Sequence, residues 1–450
     1  MSRKFIAIPL LALALALALA GCGEQATQSV EAGIGPNPNL VAPNRTLFPT
    51  MKVYDATGWP TGARPRAEQG LSVNEFAGGL AHPRWILALA NGDVLVAETD
   101  APPQPDDADK GGFISRIKGF IQGKVFAKAG SHIGSPNRIT LLRDTNNDGV
   151  ADQRSVLIGG LNSPFGMAVV GGKLYIANAD ALLAVPFTPG QVRITDQPTV
   201  ITPLPGGRNY HWTKSLVASP DGKRLYVGVG SNSNVGENGM DEEVGRAAIW
   251  EIDPVTGAHR VFASGIRNPV GIAFNPWSGA LWTSVNERDE LGSDLVPDYM
   301  TSVKPGGFYG WPYSYYGSHI DTRPKPARSD MVAKAIKPDY ALGAHTASLG
   351  LTFSTGANLG PRFANGVFVG QHGSWNRNPP SGYRVIFVPF NGAQPSGMPI
   401  EILTGFLVDK KALGRPVGVQ IAKDGSLLVA DDVGNTIWRV TTTVSKVAVR

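Results

Sequence analysis

Cysteine is almost absent from this chain of 450 residues, and its one cysteine is Cys22, close to the N-terminus. The chain can therefore form no internal disulfide, no cysteine metal cluster and no covalent haem attachment. Any redox chemistry must use a cofactor that can dissociate. Charge is also scarce. Charged residues make up 17% of the chain, and a formal net charge of +5 is too small to indicate nucleic-acid binding.

Long apolar runs are missing after the first twenty residues, so no later segment is expected to span a bilayer. Arg3 and Lys4 precede a short Leu/Ala run that ends in Leu-Ala-Gly-Cys22, which is the pattern of an export signal. These four residues also resemble a bacterial lipobox. We therefore expect a lipoprotein signal peptide over residues 1–21, and a lipid on Cys22 that anchors the protein to a membrane on the periplasmic side of the cell envelope. A plain signal peptide is the alternative.

Helical periodicity is hardly visible, whereas one hairpin pattern recurs: an apolar strand, a turn with glycine, and a second apolar strand. The six copies begin at Arg84, Phe165, Ser215, Val270, Leu349 and Val417. The gaps are longest after Glu98 and after Val285. The repeat predicts an all-β fold, a six-bladed β-propeller with two large loop insertions. A β-sandwich, or a pair of them, is the alternative.

The repeat also predicts how the chain is divided. The propeller is expected over residues 71–442, with the last strand, from Thr436, pairing with an early strand near Leu71 to close the ring. Residues 22–70 are rich in Pro, Gly, Asn and Gln, which favours a tether followed by an irregular lead-in. Residues 443–450 are expected to form a C-terminal tail.

Cationic and imidazole side chains precede several of the repeated hairpins. They are His82, Arg84, His211, Lys214, Arg267 and Arg415, together with His345 before the fifth copy. Asn268 stands directly after Arg267. A ring would bring equivalent positions together, and such a cluster is unfavourable unless an anion fills it. The alternative is that each arginine caps its own loop.

The segment IRNPVGIAFNPWSGALWTSVNERDELGSDL, followed by GGFYGWPYSYYG, resembles the glucose/sorbosone dehydrogenase family, six-bladed propellers that use pyrroloquinoline quinone (PQQ) with calcium. The resemblance extends from about Ala81 to Val440. It implies that His211 is the catalytic base, and an imidazole suits this role because it titrates near neutrality. It also implies that Arg267 and Asn268 form the pair that contacts the quinone.

The resemblance implies further cationic ligands for the cofactor, namely Lys214, Arg415, His345, His372 and Arg377. Tyr210 stands where soluble glucose dehydrogenases of the family have an acid before the catalytic histidine. The sequence is therefore more similar to the sorbosone-dehydrogenase-like branch than to the glucose enzymes.

Two segments are candidate calcium sites. The resemblance implies that the turn with Asn286, Glu287 and Arg288 offers backbone carbonyls to the calcium that binds the quinone. Independently, RDTNNDGVADQR is similar to a shortened calcium loop with Gly149 at its bend, or to a metal-free turn. Its candidate ligands are Asp144, Asn146, Asp148, Val150 and Asp152. We expect a calcium ion there to stiffen the insertion.

The resemblance implies a PQQ- and calcium-dependent dehydrogenase that oxidises a sugar or aldehyde-type substrate, of the aldose or sorbosone kind. His211 would remove a hydroxyl proton while hydride passes to the quinone, and electrons would leave to an external acceptor. One alternative is a non-catalytic propeller that binds a glycan or a protein at the envelope. The other is a calcium-dependent lactonase-like hydrolase, which the basic loops disfavour.

Overall fold

A computed structural model describes residues 24–46, 49–103 and 134–443. Cys22 and the acidic run at 105–110 lie outside this part of the chain. Strands dominate the described residues, in which the one α-helix is α1 (Ser329–Val332). Three short 3₁₀ turns cover Val30–Gly33, Met240–Glu243 and Pro361–Phe363. None of the described helices is long and apolar enough to cross a membrane.

The strands form six antiparallel sheets of four or more strands within the described residues. The N-terminal strands are β1 (Ile34–Gly35), β2 (Asp55–Ala56), β3 (Arg66–Ala67) and β4 (Leu71–Ala77). Sheet 1 contains β5 (Pro83–Ala88), β6 (Val94–Glu98), β7 (Arg138–Arg143) and β8 (Gln153–Ile158). Sheet 2 contains β9 (Met167–Val170), β10 (Lys173–Ala177), β11 (Ala181–Pro186) and β12 (Thr199–Pro203). Sheet 3 contains β13 (Leu216–Ala218), β14 (Leu225–Val229), β15 (Ala248–Ile252) and β16 (His259–Ser264).

The other three sheets each recruit one N-terminal strand. Sheet 4 contains β17 (Pro269–Phe274), β18 (Leu281–Val285), β19 (Pro297–Ser302), β22 (Tyr340–Ala344) and β1. Between β19 and β22, the inserted hairpin of β20 (Ser314–Tyr315) and β21 (His319–Ile320) forms a separate two-stranded sheet. Sheet 5 contains β23 (Ser348–Phe353), β24 (Gly366–Gln371), β25 (Arg384–Asn391) with its partner β26 (Gln394–Pro395), β27 (Ile400–Thr404) and β3. Next, β28 (Leu407–Val408) and β29 (Lys411–Ala412) pair with each other and with β2. Sheet 6 contains β30 (Pro416–Ile421), β31 (Leu427–Asp431), β32 (Thr436–Thr442) and β4.

The first strands of the six sheets pack side by side in a closed ring, in the order β5, β9, β13, β17, β23 and β30, which returns to β5. Glycines allow this approach. A Cβ atom on Gly350 would collide with the backbone of Val417, and one on Gly271 with the carbonyl of Leu349. These glycines belong to the repeated hairpin motif, so the repeat encodes the contact between neighbouring sheets. The prediction of an all-β propeller is confirmed.

The hydrophobic core is divided among the interfaces between neighbouring sheets. One cluster packs Leu95 and Ile139 of sheet 1 against Leu174 of sheet 2, and equivalent clusters fill each following interface back to sheet 1. A separate cluster on the ring axis joins Phe165 and Val270 with residues of two further sheets. Removal of these apolar surfaces from water is the main favourable contribution to the closed ring.

Ring closure follows the sequence prediction, because β32 pairs with β4 from Ile437 opposite Ala77 to Thr442 opposite Leu71. The positions of the two insertions differ from the sequence prediction in one respect. The first lies between β6 and β7 and falls largely outside the described residues. The second does not follow Val285 directly but lies between β19 and β22, because the segment after Val285 supplies the third and fourth strands of sheet 4.

The N-terminal lead-in is built into the propeller from Glu24 onward, which corrects the prediction of a tether for this part of residues 22–70. The reason is that sheet edges and loops offer it partners: β1 pairs with β22, β3 with β27, and β2 with β29. Trp59 also donates its indole N–H to Asp431 at 2.7 Å and packs edge-on against Phe406 and Trp438. The lead-in therefore covers part of sheets 4, 5 and 6.

Candidate active site

Most of the candidate residues lie at one end of the sheets, which we call the site end. In an antiparallel sheet, the loop before the first strand and the loop after the second strand meet at the same end, as the pairing of β13 with β14 shows. His211, Arg267 and Arg415 precede first strands, whereas Glu287 and His372 follow second strands. The ring therefore brings together residues that are far apart in the sequence.

His211 lies half-buried before β13, with its ring edge against Tyr210 at 4.6 Å between centroids. Its Nδ1 atom is 2.9 Å from the carbonyl oxygen and 3.0 Å from the hydroxyl of Ser231. A carbonyl can only accept a hydrogen bond, and the Ser231 hydroxyl already donates to the carbonyl of Ser233. Nδ1 therefore carries the hydrogen, and Nε2 of the neutral ring keeps its lone pair.

The surroundings of His211 favour this neutral form. Burial lowers the pKa of His211 well below its ordinary value, and the charges of Arg267, Lys214 and Arg246 lower it further, while the bond to Ser231 opposes them. Arg267 and Arg246 are themselves buried, so solvent screens their charges weakly, whereas burial lowers the pKa of Lys214 well below its ordinary value and reduces its part in this effect. His211 is therefore an unprotonated base at neutral pH.

Arg267 is almost fully buried, and its guanidinium N–H groups donate hydrogen bonds to other groups of the protein. Its guanidinium binds Asn234 through the backbone carbonyl and the side-chain oxygen, the carbonyls of Asn286 and Glu287, and the carboxylate of Asp289. In this arrangement Arg267 influences His211 through its charge. Contact with a substrate or cofactor requires it to exchange one of these partners.

The same contacts bear on the calcium site predicted at Glu287 and Arg288. The carbonyls of Asn286 and Glu287 accept from the Arg267 guanidinium, at 3.3 and 2.6 Å, so a cation already occupies these oxygens. The Arg288 side chain is fully buried and binds Glu287 and Asp321. Two of the turn's carbonyls are therefore engaged by a guanidinium in this structure, and a calcium ion bound there would have to share or displace these contacts.

His345 belongs to the group around Arg267. Its Nε2 atom lies 2.9 Å from the carbonyl of Gly292, and its Nδ1 atom lies 3.4 Å from the carboxylate of Asp289, which also binds Arg267. Burial alone would lower the pKa of His345, but the bond to Asp289 and its negative charge raise it above the ordinary value. Both ring nitrogens face acceptors, which favours the imidazolium form.

A second charged group, which we call the Asp432 cluster, contains Asp432 with His82, Arg84, His372 and Arg415. The Asp432 carboxylate is 1% exposed and lies 2.9 Å from Nε2 of His372, 3.3 Å from Arg84 and 3.5 Å from His82. Arg415 reaches Nδ1 of His372 at 3.4 Å. Three sheets therefore contribute to one buried charge network, and two of the predicted cofactor ligands, His372 and Arg415, meet in it.

Protonation in the Asp432 cluster is set by burial and by the arginines. Burial lowers the pKa of His372 to about 4. Asp432 raises this pKa, and the charges of Arg415 and Arg84 offset part of that increase. Contact with His372, above all, and the charge of Arg84 hold the pKa of Asp432 far below its ordinary value, against the effect of burial. His372 is therefore neutral, with Nε2–H donating to an ionised Asp432.

Two other predicted cofactor ligands have structural partners. Lys214 is fully buried and donates to the side chain of Asn209 and the carbonyl of Trp212. Arg377 binds the carbonyls of Gln28 and Pro379, so it holds the N-terminal lead-in in place. Neither forms part of the Asp432 cluster.

The predicted calcium loop is the turn between β7 and β8, so it stiffens sheet 1 and not an insertion. The Asp144 carboxylate accepts the backbone N–H groups of Asp148 and Gly149, Asp148 accepts that of Val150, and Asp152 accepts that of Thr145. Asn146 donates to Asp148. Among the described residues, no three His, Cys, Asp or Glu side chains converge as a metal site. The loop is an Asx-type turn in this structure.

The TrAA12-like family matches this chain over residues 136–306 and 314–443. The chain belongs to this family. An uncharacterized protein of Borreliella burgdorferi is 30% identical to it over 292 residues, which cover 62% of this chain and 76% of that protein.

The PQQ-dependent pyranose dehydrogenase of Coprinopsis cinerea is 24% identical over 377 residues, which cover 73% of this chain and 46% of that enzyme. The chain thus spans about half the length of that relative. The holo structure of its PQQ domain superposes with a TM-score of 0.65 at 21% identity, covering 86% of this chain and all of the domain. A Trichoderma reesei structure of carbohydrate-active enzyme family AA12 gives a TM-score of 0.68 at 18% identity, covering 89% of this chain and 100% of that one. The resemblance to PQQ-dependent propellers is confirmed for the fold and the family.

Several residues of this TrAA12-like site were not predicted from the sequence, above all Asp432, Asp289 and Ser231. Asp432 stands in the repeated motif LLVADD, directly after the second strand of its hairpin. That position corresponds to Asn286 and His372 in their sheets, so the repeat itself carries a signal for it. Ser231 acts through its backbone carbonyl, which leaves no signal in the side chain.

The pKa of His372 makes the stability of the protein depend on pH. Between pH 6.5 and about 4 the unfolded chain protonates this histidine and the folded chain does not, so the free energy of unfolding falls as the pH is lowered. The contribution of His372 is up to about 3 kcal/mol across this window. We expect the stability difference between wild type and His372→Gln, measured by urea unfolding, to shrink by this amount from pH 6.5 to 4. A difference that is the same at both pH values contradicts the assignment.

Proposed function

We propose that this TrAA12-like protein is a PQQ-dependent dehydrogenase that oxidises a sugar or aldehyde-type substrate, of the aldose or sorbosone kind. The observation that carries the proposal is the single free nitrogen of His211. Its Nδ1–H is held by Ser231, and its Nε2 lone pair is available to accept a hydroxyl proton. The relationship to the Coprinopsis enzyme, which is PQQ-dependent, supports the cofactor.

Unpartnered N–H groups support an anionic cofactor at the site end. The buried Nε atoms of Arg84 and Arg415 have no hydrogen-bond partner. The two guanidinium groups belong to the Asp432 cluster, where four cationic or imidazole side chains share one carboxylate. A carboxylate ligand would satisfy the free N–H groups and balance the charge. We therefore propose that Arg84, Arg415 and His372 hold the carboxylates of PQQ, with Asn268 nearer the base.

When bound, PQQ supplies a carbonyl that takes up hydride from the substrate carbon. The chain supplies the proton acceptor. Nε2 of His211 takes the hydroxyl proton as the C–H bond breaks, and Ser231 keeps the ring in the tautomer that leaves Nε2 free. Burial and, to a smaller extent, nearby cations lower the pKa of His211, so an anion at the site would raise this pKa by offsetting part of the effect of the cations.

The central test compares His211 with a histidine outside the site. We expect the protein reconstituted with PQQ and calcium to reduce a redox dye with aldoses or aldehydes, and His211→Gln to lower kcat by about 100- to 10,000-fold while PQQ still binds. His319→Gln is the matched control, because His319 is an exposed histidine in the inserted hairpin β20–β21.

Each outcome of this experiment has a distinct meaning. Full turnover in His211→Gln would remove the base assignment. Tight PQQ binding without dye reduction by any substrate of the panel would overturn the dehydrogenase proposal. Failure to bind PQQ would leave a propeller that binds a glycan or protein, and calcium-dependent lactone hydrolysis would indicate the lactonase alternative.

We also propose calcium binding at the turn between β7 and β8, supported by its oxygen-rich sequence. Replacing Asp148 with alanine removes one candidate ligand and the cap on Val150 N–H. We expect calcium to raise the melting temperature of the wild type in scanning calorimetry, and Asp148→Ala to lose this increase. Asp241→Ala, at an exposed acid elsewhere, is the control. A melting temperature that calcium does not change in the wild type would leave the loop a plain turn.

We propose further that Cys22 carries a lipid that anchors the protein at the bacterial envelope, supported by the Leu-Ala-Gly-Cys sequence. Metabolic labelling with a fatty acid should then mark the wild type but not Cys22→Ser. Equal labelling of both proteins would contradict the anchor.

We propose that electrons pass from the cofactor to an external acceptor.

A further inference from the structure

The segment that holds His211 is an irregular loop after β14, residues 230–233. Gly230 lies so close to His211 and Asn268 that a Cβ atom there would collide with both. Ser231 then accepts the Nδ1–H and the backbone N–H of His211, the latter at 3.2 Å. The position of the imidazole is therefore determined by the position of this loop, since Ser231 provides both contacts.

Glu243 anchors this loop from the opposite side. It lies at the end of the 3₁₀ turn Met240–Glu243 and is 5% exposed. One carboxylate oxygen accepts the backbone N–H of Asn232 at 2.7 Å, and the other accepts the hydroxyl of Ser233. The carbonyl of Ser233 in turn accepts the hydroxyl of Ser231 at 2.6 Å. Hydrogen bonds linked through the backbone of the loop thus connect the Glu243 carboxylate to Nδ1 of His211.

We propose that Glu243 is a positioning residue for His211: its carboxylate fixes the Ser231–Ser233 segment so that the Ser231 carbonyl holds Nδ1–H and Nε2 remains free. This inference rests on the proposed function and adds a residue to it. Glu243 touches neither the base nor a substrate, and it acts only through the loop.

The carboxylate is suited to this task because it accepts from two donors at once. A neutral amide offers one acceptor oxygen, so it can accept from only one of the two donors, and its contact with Ser233 survives only if the hydroxyl turns to accept from the amide N–H. Both contacts also lose the strength that the ionised acceptor gave them, so the Ser231 carbonyl would be held less firmly opposite Nδ1. Small displacements of catalytic groups of this kind cost up to about 100-fold in rate.

Protonation of the Glu243 carboxyl weakens the loop contacts in the same way as its replacement by a neutral amide. Burial raises the pKa of Glu243 to about 7, and the charge of Glu237 adds to this, while the bonds from Asn232 and Ser233 and the charge of Arg246 oppose it. The ionised form is therefore lost as the pH falls through about 7. Its loop contacts weaken in the pH range where His211, with its lowered pKa, is still an unprotonated base.

The experiment compares Glu243→Gln with Glu242→Gln, a change at the exposed neighbouring acid. Steady-state kinetics of the reconstituted proteins would be measured from pH 5.5 to 8.5. We expect Glu243→Gln to lower kcat about 10- to 100-fold at pH 8.5 with KM little changed, and the ratio of wild-type to variant kcat to fall toward 1 at pH 5.5. Glu242→Gln should follow the wild type at every pH.

A second readout does not need turnover. Nitrogen-15 NMR of the histidine rings, in protein without cofactor, reports the tautomer of each of the seven histidines, and His211→Gln assigns the relevant signal. We expect a pure Nδ1–H tautomer for His211 in the wild type and a mixture in Glu243→Gln. Ser233→Ala, which removes one of the two donors, should give a smaller change in the same direction, and it serves as the test if Glu243→Gln does not fold.

The two readouts separate the failure of this inference from that of the proposed function. An unchanged His211 tautomer in Glu243→Gln and Ser233→Ala, or a kcat ratio that does not vary with pH, would overturn the positioning role. A wild type that oxidises no substrate of the panel would overturn the proposed function, and the NMR comparison would still decide whether Glu243 positions His211.

Discussion

The buried carboxylate of Asp432 is the interaction on which the site end depends, because it allows arginine and histidine side chains from three sheets to meet. Its neighbour Asp431 shows how strongly the surroundings decide the charge. Asp431 receives N–H groups from Trp59, Trp438 and two backbone amides, and burial raises its pKa to about 6. Asp432 faces His372 and Arg84 instead, and its pKa is lowered. The two adjacent carboxylates therefore differ in role: Asp431 holds packed indole and backbone N–H groups, and Asp432 balances the charge of the site end.

The lead-in connects the packing of the propeller to this charge balance. Trp59 and the backbone N–H of Arg415 bind the same carboxylate, that of Asp431. The start of β30, which carries Arg415 into the Asp432 cluster, is therefore held by a residue more than 350 positions earlier in the chain. Arg377 has a similar connection, since it binds the carbonyl of Gln28. The N-terminal segment is thus part of the structure that supports the site.

The repeated hairpin made the fold predictable, because each copy carries its turn and several copies carry a glycine that lets neighbouring first strands approach, as at Gly271 and Gly350. It also placed His211, Arg267 and Arg415 at equivalent loops. Which groups each arginine side chain binds could not be predicted from the sequence. Arg377 and Arg415 are alike as sequence features, yet one binds the lead-in and the other stacks on Tyr383 beside His372. These choices depend on which loops the closed ring brings together, and no local pattern encodes them.

The low pKa of His211 has a consequence for how the site can work. A base with a strongly depressed pKa holds an abstracted proton weakly, so Arg267, Lys214 and Arg246 would make it a poor acceptor if their charges stayed unbalanced. An anionic ligand at the site end would offset part of the effect of these charges, though not that of burial, and would raise the basicity of Nε2 to that extent. Tyr210 fits this arrangement, since an acid in its place would raise the pKa of His211 permanently. In this chain the basicity of His211 would instead depend on whether an anion is bound.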